Sequence, residues 1–146
     1  MLHKVLIVDD EPVVLDYLER QLDKCDFEVA RASNGETVLL GCERTGYRPD
    51  LLVADLVLPG MSGFDLSIQL QRVIPSLKTL FISGYTGLEY FRQKGVSLKD
   101  LPFLQKPFTP DQFLEKVHEL LVVNRTDSQS GEMRRPSLFE VDSVTD

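Results

Sequence analysis

Five polar residues stand at the ends of short apolar runs. Asp9 and Asp10 close Val5–Val8, Asp55 closes Leu51–Ala54, Ser83 closes Leu77–Ile82, and Lys106 follows Leu101–Gln105. If these runs are strands of one open parallel sheet, the five residues gather beyond the carboxyl ends, where such sheets bind ligands. Three carboxylates held together repel, so either a pKa rises or a cation neutralises them. One lysine ammonium leaves roughly two negative charges, which suits a hard divalent cation with oxygen ligands. Mg²⁺ fits better than Zn²⁺, because no His or Cys is at hand. A carboxylate beside such a cation and an ammonium can attack a phosphoryl donor while the positive charges neutralise its equatorial oxygens.

The rest of the chain reads as the scaffold for those strand ends. Lys4–Val8 and Leu51–Ala54 lack polar alternation, as strands buried on both faces do. Phe27–Ala32 is shorter on apolar residues and belongs nearer an edge. Leu77–Ile82 and Leu101–Gln105 complete five strands. Between them lie helical patterns. Pro12 opens the first, which is expected to run to about Cys25. Ser33-Asn34-Gly35-Glu36 reads as a capping box for the second. Leu66, Leu70 and Val73 carry a third helix that stops at Pro75. Tyr85 to Gly95 is weakly patterned, with two glycines, and predicts a marginal helix. Thr109-Pro110-Asp111-Gln112 is a strong start for the last, with Phe113, Leu114, Val117, Leu120 and Leu121 as its buried face. Strands alternating with helices predict an α/β fold with a doubly wound parallel sheet. The order 2-1-3-4-5, common among such folds, would place Asp9, Asp10 and Asp55 together at the switch point.

The length of 146 residues suits one domain. The net charge of −7 argues against a bare nucleic-acid binder. No apolar run approaches the roughly 20 residues of a membrane helix, and Met1–Lys4 shows no signal-peptide pattern. Cys25 and Cys42 have no metal-binding spacing and read as reduced residues, so a cytoplasmic protein is the simplest expectation. From Asn124 the composition turns polar. We therefore place a domain at 1–123 and a tail at 124–146, either flexible or docked through Leu138, Phe139 and Val141.

Four segments in order resemble the response-regulator receiver family of two-component signalling, over about Lys4 to Val122. They are Val5-Leu6-Ile7-Val8-Asp9-Asp10-Glu11, the Asp55-x-x-x-Pro59-Gly60-Met61-x-Gly63 loop, Phe81-Ile82-Ser83-Gly84-Tyr85, and Phe103-Leu104-Gln105-Lys106-Pro107-Phe108. The resemblance implies a flavodoxin-like (βα)₅ fold in which Asp55 accepts the phosphoryl group. It implies that Asp10, Asp55 and the Val57 backbone carbonyl bind Mg²⁺ directly and Asp9 through water. Ser83 and Lys106 would contact the phosphoryl oxygens, with the Lys106–Pro107 bond cis. Phe103 stands at the switch-aromatic position, often Tyr; any step that needs a tyrosine hydroxyl is lost. Gly84 would leave the phosphoryl site open, and Pro59 and Gly63 would shape the loop.

The donor implied is a sensor histidine kinase or a histidine phosphotransfer protein. The signal would leave through the face of helix four, strand five and helix five, to an unknown downstream protein or a homodimer mate. No nucleic-acid or membrane contact is expected. The segments are closest in flavour to receivers of hybrid sensor kinases. Catalysis would be limited to the chain's own phosphorylation and dephosphorylation.

Three competing functions fit these residues less well. A haloacid-dehalogenase-type phosphatase would carry a second acid two residues after Asp55, where this chain has Val57. A transcription factor would need a DNA-binding domain. A pseudo-receiver that works by binding alone would be expected to lack part of the five-residue set. His118 reads as a surface residue and not a phospho-donor, and Tyr85 and Phe91 as a partner face or core cover.

Overall fold

The computed structural model describes residues 2–95, 97 and 101–130. Within them five strands alternate with five helices: β1 His3–Val8, α1 Pro12–Asp23, β2 Phe27–Ala32, α2 Gly35–Thr45, β3 Leu51–Asp55, α3 Gly63–Val73, β4 Lys78–Ser83, α4 Tyr85–Gln93, β5 Phe103–Gln105 and α5 Pro110–Ser130. All strands pair in parallel, in the order β2-β1-β3-β4-β5. This is the flavodoxin-like (βα)₅ architecture. The polar strand β2 is an edge, and the apolar β1 and β3 are central.

Alternation along the strands divides the core in two. Val5, Ile7, Leu51, Val53, Leu80 and Ile82 pack against Leu15, Leu18 and Leu22 of α1 and Phe113, Val117 and Leu121 of α5. Leu6, Val8, Leu52 and Ala54 pack on the opposite side, against Val38 and Cys42 of α2 and Leu66 and Leu70 of α3. The central strands β1 and β3 thus turn alternate residues to the two layers, which is why no polar alternation survives in their sequences. A smaller cluster of Leu56, Phe81 and Phe91 ties α4 to the sheet, with Phe64, Leu101 and Phe103 packed on it.

Several element ends differ from the sequence expectation; β1, β3 and β4 do so by one residue. The cap of α2 is Asn34, whose Oδ1 accepts the Thr37 N–H at 2.8 Å, and not Ser33; a side chain at either position can reach a free N–H of the first turn, and the tertiary path picks the register. β5 begins at Phe103, not Leu101, because Pro102 has no N–H for a ladder, although its carbonyl accepts the Phe81 N–H at 3.0 Å. α1 ends at Asp23, followed by a turn through Lys24 and Cys25. α5, for which the sequence set no end, runs to Ser130. The polar stretch from Asn124 marks where apolar residues run out, and no proline or glycine interrupts the helix before Gly131. The docking expected of Leu138, Phe139 and Val141 lies outside the described residues.

The start of α5 realises its capping box. Thr109 Oγ1 accepts the Gln112 N–H at 3.1 Å, and Gln112 Oε1 accepts the Thr109 N–H at 2.9 Å. This anchors the chain directly after Lys106 and Pro107, whose peptide bond is cis.

Candidate functional site

The residues at the strand ends converge. One carboxylate oxygen from each of Asp9, Asp10 and Asp55 lies within 4.8 Å of the others. Asp9 and Asp55 continue the alternation of Ile7 and Val53, so both point to the α1–α5 side of the sheet. Lys106 continues the alternation of Leu104, which packs on that same side. Its Nζ donates to Asp55 Oδ2 at 2.9 Å and reaches Asp9 Oδ2 at 3.4 Å. Local backbone takes the remaining carboxylate oxygens. Asp9 Oδ1 accepts the Glu11 N–H at 2.9 Å, and Asp55 Oδ1 accepts the Val57 N–H at 3.0 Å. Asp9 and Asp55 are buried, while Asp10 is exposed.

Ser83 lies on the other side of its strand. It continues the alternation of Phe81, is 1% exposed, and faces α4. Phe103 pairs in register with Phe81 and packs, half-buried, on the Leu56–Phe81–Phe91 cluster. The loop after β3 turns at Gly60, whose φ of 77° is left-handed. Gly63 then brings α3 against the end of β3, its N–H donating to the Leu56 carbonyl at 3.0 Å. Pro59 lies in the same loop, and Gly84 is the N-cap residue of α4.

Charge decides the site's chemistry. Burial pushes the Asp9 carboxyl up from 3.8 to about 6, and the Asp55 charge adds to this, against the pull of the Glu11 N–H and the Lys106 ammonium. Burial also works against the Lys106 ammonium, but the hydrogen bond to Asp55 and the charges of Asp55 and Asp9 outweigh it and raise its pKa. Three acids and one ammonium thus make a site short of positive charge. Its donors are all oxygens, and a hard cation would relieve it.

A pH dependence follows for the metal-free protein. Between 3.8 and about 6 the unfolded chain has lost the Asp9 proton and the folded chain still holds it. Stability from this group therefore falls as pH rises through that window and levels off above it, by on the order of 2–3 kcal/mol. In chelator, Asp9→Asn is expected to melt higher than wild type at pH 7, with the gap closing towards pH 4.5. A gap that is constant across this range would show that Asp9 does not carry the proton.

The family model described as the response regulator receiver domain matches residues 5–118. The chain belongs to the response-regulator receiver family. Among curated proteins, this receiver is 34% identical over 117 residues to the sensor kinase CckA of Brucella abortus, covering 80% of the chain and 12% of that protein. It is 28% identical over 135 residues to the alkaline phosphatase synthesis transcriptional regulatory protein PhoP of Bacillus subtilis, covering 92% of the chain and 55% of PhoP. It is 26% identical over 120 residues to the response regulator receiver protein CpdR of B. abortus, covering 82% of the chain and 97% of CpdR. The receiver thus spans about half of PhoP, a small part of CckA and nearly all of CpdR. Among solved structures, a response regulator receiver protein from Sinorhizobium medicae superposes with a TM-score of 0.72 at 27% identity, covering 84% of this chain and 97% of that one. A CheY-like receiver domain protein from Methanospirillum hungatei gives 0.72 at 27%, covering 87% and 99%. No helix among the described residues of this receiver is long and apolar enough to cross a membrane.

One residue of the site region escaped the sequence. Gly87, in the first turn of α4, lies against both Ser83 and Val57. The signal available was its spacing of four from Ser83, which has meaning only once α4 is known to begin immediately after β4.

Proposed function

We propose that this receiver is a phosphorylation-dependent signalling switch that takes a phosphoryl group onto Asp55. The observation that carries the proposal is the Lys106 ammonium set between the Asp55 and Asp9 carboxylates, with Asp10 completing the acidic cluster. A bare ion pair would need one acid; three with one base call for a further cation.

Asp10, Asp55 and the Val57 carbonyl would hold Mg²⁺ directly and Asp9 through water. When bound, the ion supplies positive charge against the phosphoryl oxygens. The chain's own residues do the rest. An Asp55 carboxylate oxygen attacks phosphorus as the bond to the leaving group breaks. With acetyl phosphate the electron pair leaves on acetate; with a phospho-histidine donor it returns to the imidazole nitrogen, which takes up a proton. The Val57 N–H orients the Asp55 carboxylate. Lys106 shifts from a carboxylate partner to a phosphoryl partner, and Ser83 supplies a hydroxyl to a phosphoryl oxygen. Phe103 then repacks against the Leu56–Phe81–Phe91 cluster, which alters the face formed by α4, β5 and α5. The partners proposed are a sensor histidine kinase or histidine phosphotransfer protein as donor and a downstream protein, or a second copy of the chain, as recipient. The resemblance to CckA supports a kinase-linked role.

The test is intact mass after incubation with acetyl phosphate and Mg²⁺. A gain of one phosphoryl group that disappears in chelator is expected. No gain from acetyl phosphate or from a phospho-histidine donor would leave a pseudo-receiver that works by binding alone.

A further inference from the structure

The Ser83 hydroxyl starts on the wrong side of β4 for the chemistry proposed above. Asp55 and Lys106 belong to the α1–α5 side, while Ser83 belongs with Phe81 on the side covered by α4. Something must hold the hydroxyl there. A Cβ placed on Gly87 would fall on the Ser83 hydroxyl oxygen, with the Val57 Cγ2 atom at 3.1 Å and Ser83 Cβ at 3.3 Å. The direction is general. Cβ atoms of a helix lean towards its N-terminus, so position 87 projects over residue 83. A helical position does not by itself bring crowding, because a Cβ on Gly41, also inside a helix, would meet nothing within 4 Å.

We propose that Gly87 is a positioning residue whose missing side chain leaves a slot between α4 and the end of β4, where the Ser83 hydroxyl is parked away from the acidic cluster. The proposal rests on the phospho-switch reading, in which that hydroxyl must reach the phosphoryl group. The slot and the phosphoryl-contacting position are then alternatives for one hydroxyl. A serine side chain has three staggered wells and leaves the slot by rotation about χ1. Lifting α4 instead would strip Phe91 from Leu56 and Phe81. Rotation is the easier motion. A methyl group at position 87 therefore fills the slot and raises the share of molecules whose Ser83 has already left it. It adds no charge and no hydrogen bond to the site.

The experiment is a double-mutant cycle with wild type, Gly87→Ala, Ser83→Ala and the double variant, and Gly41→Ala as a control for helix preference. Phosphoryl uptake from acetyl phosphate with Mg²⁺ is followed by intact mass. Gly87→Ala is expected to speed uptake by about threefold or more, as a population shift towards the competent rotamer. In the Ser83→Ala background the same change should leave the rate unaltered, because alanine has no oxygen to displace. The melting temperature is a second readout and needs no phosphorylation. With Ala at 83, Gly87→Ala should raise it, by up to the gain of about 3 °C expected of Gly41→Ala, because helices favour Ala over Gly and the remaining contacts with Val57 Cγ2 and the Cβ at 83 only subtract from that gain. With Ser83 present the gain should shrink or reverse. Equal effects of Gly87→Ala in both backgrounds would overturn the slot, since position 87 would then act through α4 as a whole. A wild-type chain that takes up no phosphoryl group would sink the switch reading instead, and the thermal cycle would still decide for or against the slot.

Discussion

Asp55→Asn is expected to abolish phosphoryl uptake altogether while leaving the fold in place. Asp55 ends β3, buried, in register with Ile82, and its two oxygens already have separate duties. Asparagine keeps one acceptor oxygen for the Val57 N–H and keeps the volume. It loses the negative charge, and with it the proposed nucleophile and the ion pair to Lys106. An amide oxygen is a poor nucleophile towards phosphorus, and the two neighbouring acids are placed differently. Asp9 is held by the Glu11 N–H and Asp10 is exposed. The measurement is intact mass after long incubation with acetyl phosphate and Mg²⁺. Circular dichroism of the same sample should be unchanged, and the melting temperature should stay within a few degrees of wild type, because the lost pair to Lys106 is offset by relief of repulsion between the acids. A phosphorylated Asp55→Asn chain would mean that another residue accepts the group.

Gly63→Ala is expected to be the most damaging single methyl group in the described part of the chain. A Cβ there would overlap the Asp55 carbonyl oxygen and lie 3.0 Å from its carbonyl carbon and 3.3 Å from Leu56 Cα. These are backbone atoms of a fully buried strand and of the residue after it, so neither can rotate away. Either α3 withdraws from the sheet, opening the Leu66 and Leu70 packing, or the end of β3 shifts. The cost should reach about 3 kcal/mol or more, at the upper end of overpacking effects. Chemical denaturation against Gly41→Ala, where a methyl group meets open space, measures it. Any folded fraction should also take up phosphoryl groups far more slowly, because displacing the nucleophile by about 1 Å can cost on the order of 10²-fold in rate. A loss of stability no greater than that of an ordinary surface substitution would show that α3 does not sit as tightly as its contacts indicate.

The two glycines, 63 and 87, illustrate how far local pattern reaches. Gly63 could be picked from the loop motif as a shaping residue, but its reason is a contact between two backbones and has no sequence signature. Gly87 sits in a weakly patterned stretch and looks like a defect in a helix. Its partner is fixed only when β4 ends at Ser83 and α4 starts at Tyr85. Caps behave similarly. Thr109 and Gln112 formed the box expected of them, since a strong cap, a proline and an acid all agreed. At α2 the box pattern pointed to Ser33, and the cap is Asn34, one residue further on.

By itself the sequence determined the five strand-and-helix units, which strands are central and where each polar residue falls along its strand. Apolar residues must be buried, and strand and helix periods leave different marks. It also carried the family, through four segments at strand ends. The order of strands belongs to the tertiary structure, because any βαβ unit can join neighbours or skip one with the same residues. That order brings Asp9 and Asp55 from adjacent strands to one ammonium, and pushes the Asp9 carboxyl to about 6 by burial. Only the packed molecule decided that Asp55 and Lys106 face one layer and Ser83 the other, since a side chain's direction at a strand end depends on where the ladder stops.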